Sequence, residues 1–261
     1  MNHPNNPTSE FYNFLQQAFN HFNEQLFAKK LPDCMLTTQR QKSVMGYFSS
    51  NRWKNPNGQI AHEIALNPSY FANHKLIEVL QTLVHEQCHL WQFTYGKYKS
   101  RTGYHNKEWA EKMHSIGLIP SHNGLPGGKQ TGQTMSDYPE KNGKFVSSCL
   151  EFLKTENHLR WIDTEPAFDV SCQPRNIEQQ HIIEINDTIN EETISNLQLL
   201  ACPIKVEIPE SKVEEVIRGR EQKRKSKTRY TCPNCSTNVW GKPELNIICG
   251  DCRSQFSEFK Q

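Results

Sequence analysis

The chain has no apolar run that approaches the roughly 20 residues needed to cross a bilayer, so a membrane span is not expected. Its opening residues, Met1–Ser9, are polar and rich in Asn and Pro, and do not read as a signal peptide. It has no paired cysteine framework. Of nine cysteines, an odd number, Cys34, Cys88, Cys149, Cys172 and Cys202 are scattered, as expected in a reducing, intracellular compartment. Hydrophobic residues are few, at 35%, and mean hydropathy is −0.76, so the packed core does not include every residue. Internal repeats, a glycine-rich phosphate cradle and a Ser or Cys nucleophile arrangement are all missing. A net charge of +2 over 261 residues names no partner by itself.

What is present is more specific. His85-Glu86-Gln87-Cys88-His89 has the H-E-x-x-H spacing. Two histidines four apart on a helix share one face, a turn apart, and can ligate one zinc ion. Glu86 is then placed as the base for a water activated by that metal. Leu76, Ile77, Val79, Leu80, Leu83, Val84, Leu90, Trp91 and Phe93 surround the motif at helical spacing, which predicts a buried helix. Asn73 can cap its start and Gly96 can take a left-handed stop. Cys88 falls on neither ligand position and reads as a small core residue.

Catalytic zinc needs a third protein ligand and an open position. His105, Glu108, Glu111, His114 and His122 are the downstream candidates. Residues 105–116 read as a helix stopping at Gly117, with Trp109, Met113 and Ile116 as its apolar stripe. His105 lies about 47° from the centre of that stripe and Glu108 about 107° away. His105 therefore leads, with Glu108 its rival at a spacing that gluzincin peptidases also use. Tyr95, Tyr104 and His114 are candidates to assist the oxyanion.

The other end of the chain carries Cys232-Pro233-Asn234-Cys235 and, thirteen residues on, Cys249-Gly250-Asp251-Cys252. Two such knuckles give a closed, structural four-thiolate zinc site. A ribbon of about 30 residues is too small to fold on its own core, so the metal supplies folding energy. Just before it, Arg218, Arg220, Lys223, Arg224, Lys225, Lys227 and Arg229 face only one acid, a local net charge of +6. This run reads as a phosphate-contacting patch or as a solvated linker.

The remaining periodicity predicts an amphipathic helix from Ser9 to Lys30, with Phe11, Phe14, Leu15, Ala18, Phe19, Phe22 and Leu26 on its buried face. Strands follow near Cys34–Arg40, Val44–Trp53 and Ile60–Asn67, the last two joined by the turn Asn55-Pro56-Asn57-Gly58. His62 alternates on the sheet face and is not expected to be a ligand. Helix, three-stranded antiparallel sheet, metal helix and third-ligand helix together make a compact α+β, zincin-like unit, followed by a small C-terminal zinc ribbon. A sheet edge beside the metal could hold an extended peptide. The expected division is a core at 9–122, a loop-rich extension at 123–228 and the ribbon at 229–259. Within the extension, residues 123–139 read as loop, 145–161 as one helix, 162–217 as lacking clear periodicity, and 218–229 as a basic linker.

Val84-His85-Glu86-Gln87-Cys88-His89 and Gly103-Tyr104-His105-Asn106-Lys107-Glu108-Trp109 resemble the SprT-like metalloprotease family, the group that includes Spartan. Val239-Trp240-Gly241-Lys242-Pro243 resembles the ribbon of bacterial SprT proteins. The family usually has glycine where this chain has Asn106. The resemblance implies a zinc endopeptidase acting on DNA-bound or DNA-crosslinked proteins, with one catalytic and one structural zinc. Two other functions fit the residues: a nucleic-acid-binding adaptor whose zinc centres are structural, and a zinc hydrolase of a small amide.

Overall fold

In a computed structural model, residues 6–41, 44–71, 74–155, 158–163, 191–201 and 228–258 are described. The first helix, α1 (Pro7–Phe27), starts two residues before the expected Ser9 because Asn6 caps it and Pro7 occupies its first turn. The Asn6 side chain accepts from the Ser9 N–H at 3.2 Å. It ends at Ala28, in the left-handed region at φ 54°. Asn23 then exchanges two hydrogen bonds with the backbone of Leu31, which turns the chain toward the sheet. The buried face carries Phe14, Leu15, Ala18, Phe19, Phe22 and Leu26, as the periodicity requires.

Three strands follow: β1 (Cys34–Thr38), β2 (Gly46–Lys54) and β3 (Ile60–Leu66). The expected antiparallel sheet is corrected here to a mixed one, in the order β1-β3-β2. β2 pairs antiparallel with β3, whereas β1 pairs parallel with it. β3 takes the centre because Ile64, Ala65 and Leu66 are all at most 2% exposed, and a strand buried on both faces needs a neighbour on each edge. β2 is left at the edge. The Asn55–Gly58 turn joins β2 to β3 as expected, with Gly58 at φ 82°.

α2 (Leu76–Tyr95) crosses against this sheet. Gly46 permits the close approach, since a Cβ there would lie 2.8 Å from Thr82 Cγ2. The helix starts with the Glu78 carboxylate accepting from the Lys75 N–H at 3.0 Å. Asn73, the expected cap, lies outside the described residues. Gly96 is not left-handed, contrary to expectation. Its backbone is extended at φ −66° and ψ 142°. Glycine is needed there for space, because a Cβ would meet Gln92 O at 2.4 Å and Glu108 Oε2 at 2.9 Å.

α3 (Lys107–Ser115) is followed by Gly117 at φ 83°, where a Cβ would also strike the backbone N of Lys144 at 2.8 Å. Residues 123–139 are not all loop. β4 (Leu118–Ser121) pairs antiparallel with β5 (Ser136–Pro139). α4 (Lys144–Leu153) is shorter than the expected 145–161. It packs on α1 through Phe14 against Phe152 and Phe22 against Phe145. The segment thought to lack periodicity contains α5 (Glu191–Ala201), whose Leu200 is fully buried in the same core. The rest of that segment after Ala201 lies outside the described residues. Among the described residues no helix is long and apolar enough to cross a membrane.

The described residues fall into two compact units, within 1–206 and 207–261. In the second, β6 (Thr228–Thr231) lies between β7 (Asn238–Gly241) and β8 (Ser257–Glu258), all antiparallel.

Candidate metal centres

α2 is buried over most of its circumference, so the polar residues at 78, 82, 85 and 89 form a narrow stripe on one side. His85 and His89 stand one turn apart with ring centroids 5.1 Å apart. His105 joins them, its centroid 5.4 Å from His85 and 4.7 Å from His89. One nitrogen from each of the three lies within 4.8 Å of the others.

His105 reaches this position by a different route from the one the helical wheel suggests. It precedes α3 rather than lying on it. Its backbone forms an isolated bridge with Gly132, N to O at 2.8 Å and O to N at 3.1 Å. Asn106 follows as the helix cap, accepting from the Trp109 N–H at 3.0 Å and from Gln92 Nε2 at 2.6 Å. Asn106 therefore fastens α3 to the metal helix. Glu108 points elsewhere. Its carboxylate accepts from the backbone N–H groups of Lys97 and Tyr98. Glu111 is exposed and paired with Lys107, and His114 is exposed. Tyr95 donates to the carbonyl of Lys30. Of the three oxyanion candidates, Tyr104 lines the cleft above the histidines.

Beneath the cluster lies Trp109, fully buried, with its ring 5.0, 5.4 and 4.4 Å from those of His85, His89 and His105. Burial lowers His89 well below the usual imidazole range and His105 to about 4. Both are therefore neutral near pH 7, the form that ligates metal. His85 Nδ1 lies 2.8 Å from Asp137 Oδ2, and His105 Nδ1 lies 3.3 Å from Gly132 O. With those protons on Nδ1, the Nε2 atoms present lone pairs toward the cluster. His89 Nε2 and His105 Nε2 are 3.1 Å apart. Two nitrogens on one tetrahedral zinc stand about 3.3 Å apart for bonds of ~2.0 Å. The donor set thus fits zinc.

Glu86 is 6% exposed, and burial pushes its carboxyl up to about 7 in the metal-free chain, with Asp137 adding to the rise. The Phe48 backbone N–H in β2 donates to it. The cleft above holds about 1090 Å³ and is walled by Val44–Phe48, Tyr98–His105 and Gln133–Asp137. Cys88 is buried, and burial raises its thiol, in keeping with a core role. His62 accepts from the Asn51 N–H at 3.0 Å and packs on Phe93, outside the cluster. The residue that sequence reasoning missed is Asp137. No spacing marks it, because β5 joins the site through tertiary pairing with β4.

The second cluster brings together Cys232, Cys235, Cys249 and Cys252, again within 4.8 Å. The two knuckles repeat one geometry. Cys232 N donates to Thr237 O and Ser236 N to Cys232 O, while Cys249 N donates to Ser254 O and Arg253 N to Cys249 O. Ser236 and Arg253 are both left-handed, at φ 59° and 53°. Hydrogen bonds involving Thr237 pull the Cys235 thiol down to about 6, toward the thiolate that a metal needs. Of the basic run, Arg218, Arg220, Lys223, Arg224, Lys225 and Lys227 lie outside the described residues. Arg229 sits in β6 opposite Trp240, which is 65% exposed.

Residues 15–127 match the model of the SprT-like family. Over 49 residues the chain is 49% identical to an "uncharacterized protein in mucB 3′region" of Salmonella typhimurium, a stretch covering 19% of this chain. The chain spans 66% of that relative's length, slightly less than two thirds. No solved structure matches.

Proposed function

We propose, from the premise that residues 15–127 form a SprT-like domain, that the chain is a zinc-dependent endopeptidase with a zincin-like catalytic unit. The observation that carries this reading is Glu86, a buried carboxyl beside three converging imidazoles and open to a peptide-sized cleft. His85, His89 and His105 would hold the metal, leaving a position free. When bound, zinc supplies Lewis acidity to a water and to a peptide carbonyl. Glu86 would take a proton from the water and return it to the leaving amine, the role its place beside the three imidazoles suits. The edge strand β2, whose residues Gly46–Phe48 line the cleft, offers an edge to an extended peptide. Its place in the cleft wall supports Tyr104 as the residue that assists the oxyanion. Trp109 and the α2 core form the floor of the site.

The substrate class we propose is protein bound or crosslinked to DNA. The family resemblance supports it, as does the ribbon with its exposed Trp240 opposite Arg229. Arg218–Arg229 would contact phosphates, giving strong salt dependence, while an exposed indole can stack on a base. Incubating a DNA-binding protein with the wild type and with Glu86→Gln, with and without DNA, tests both parts. The variant should keep two zincs and cleave about 10²–10⁴-fold more slowly. Wild-type cleavage by Glu86→Gln would remove the general base from the reading. Cleavage indifferent to DNA would remove the substrate class.

A further inference from the structure

We infer that the segment Gly132–Asp137 is the positioning element of the histidine centre: it holds two of the three imidazoles by their outer nitrogens. This rests on the three-histidine reading above and assigns a role beyond it. The segment lies past residue 127, where the family match ends, and in a stretch whose composition reads as loop.

Two contacts carry the inference. The Asp137 carboxylate accepts from His85 Nδ1–H at 2.8 Å, and the Gly132 carbonyl faces His105 Nδ1 at 3.3 Å. Each fixes a tautomer whose Nε2 lone pair is turned into the cluster, and each fixes the ring's rotation. A third bond holds the holder. Gln81, one turn before His85 on the same helix face, donates from Nε2 to the Asp137 carbonyl at 2.8 Å. Two successive turns of the metal helix thereby grip one residue of β5, at its side chain and at its backbone.

The segment is itself anchored. Gly132 makes the two-bond backbone bridge with His105, the Gln133 side chain donates to Thr102 O at 3.0 Å, and Asp137 pairs with Pro120 of β4. Asp137 is 3% exposed and Gln81 5%. A carboxylate in that setting is costly unless it is paired. Its charge has an added use if a dication sits beyond the imidazole, because a carboxylate behind the ring makes the far nitrogen a better donor.

The rival explanation is that Asp137 merely fastens the β4–β5 hairpin to α2. Zinc affinity separates the two. In the full-length, zinc-loaded protein, chelator competition reads the histidine site, and the four-cysteine site serves as an internal reference. Asp137→Ala should lower histidine-site affinity about 10–100-fold and leave the ribbon unchanged. Asp137→Asn keeps an acceptor for Nδ1 but loses the charge, so a smaller loss is expected, and it guards against a folding failure. Gln81→Met, which touches no ligand, should weaken zinc by several-fold. In each variant the rise in melting temperature on adding zinc to the histidine site should shrink. If these variants melt lower by the same amount with and without that zinc, and affinity is unchanged, Asp137 is only an anchor and the inference fails. A wild type that holds one zinc, in the ribbon alone, would sink the three-histidine reading and the inference with it. Two zincs in the wild type with unaltered affinity in the variants sinks the inference alone.

Discussion

The histidine cluster draws three donors from α2 and the extended residue just before the cap of α3, and it sits on a core of 30 buried residues among those described. The cysteine cluster draws four donors from two knuckles, and its buried core is four residues, two of them the ligands Cys232 and Cys249. The first is an opening cut into a fold that exists for other reasons. The second is most of its own core. A donor set that leaves a position free and faces a cleft suits chemistry, while one that closes on itself suits structure. The difference also predicts what each part does when metal is withdrawn.

The largest expected effect is on the ribbon. Removing zinc with a chelator, or Cys249→Ser, should unfold residues 228–258, since structural zinc contributes on the order of 10 kcal/mol to such modules. Amide hydrogen exchange should show β6 and β7 losing protection while α1, α2 and α4 keep theirs. If the histidine domain unfolded with the ribbon, the contrast between the two centres would be wrong.

Next comes the ligand set. Zinc counting should give two per wild-type chain, falling toward one in His105→Ala and staying at two in Glu108→Ala. The structure gives a reason for the second half. The Glu108 carboxylate is occupied by the Lys97 and Tyr98 N–H groups, so its loss frays the turn after α2 rather than emptying a site. The reverse result would make Glu108 the ligand.

These two predictions draw on features that were legible to different degrees. The metal helix and the cysteine knuckles could be read directly, because fixed spacings of three and four are local properties of the chain. The helical wheel favours His105 for its nearness to the apolar stripe of a helix. It reaches the cluster from an extended residue held by Gly132 and the Asn106 cap. Trp109 could be placed in the core, but its role as the floor under three imidazoles could not. The parallel pairing of β1 with β3 was hidden, since alternation shows that a strand is half-buried and not which way its neighbour runs. Asp137 was hidden for the same reason, because its partner is 52 residues away.

A smaller effect is the acid sensitivity of the histidine domain without its metal. Burial holds His105 at about 4 in the folded chain, against an ordinary value of 6.5. Between these pH values the unfolded chain binds a proton that the folded chain refuses, so the stability is intact above 6.5 and declines as pH falls toward 4. Glu86, raised to about 7 from 4.5, works in the opposite direction, since folding holds its proton and stability declines as pH rises through that window. Glu86→Gln removes this compensation. Urea titrations of the zinc-stripped variant should therefore lose stability between pH 7 and pH 4, through His105 and His89 together, more steeply than the wild type. An equal slope in both would mean that Glu86 is not raised. The ribbon, with no buried histidine, should contribute nothing to this slope.

The smallest effect tests how the histidine site is framed. Asn106 caps α3 and also receives Gln92 from the metal helix, so it joins the two stretches that supply the three imidazoles. Asn106→Ala removes the acceptor at both bonds and should cost about 1 kcal/mol, while Asn106→Gly should cost only a few tenths, since glycine leaves the cap's N–H groups open to water. The ordering matters more than the size. Glycine is the residue the SprT-like pattern usually has at this place, so a near-neutral Asn106→Gly would mean that asparagine and glycine are two ways of starting the same helix. A cost in Asn106→Gly as large as in Asn106→Ala would mean that the bond from Gln92, rather than the cap, is what this chain relies on. The frame of the histidine centre would then depend on a side-chain tie between α2 and α3, in contrast to the knuckles, whose frame is backbone hydrogen bonding around left-handed Ser236 and Arg253.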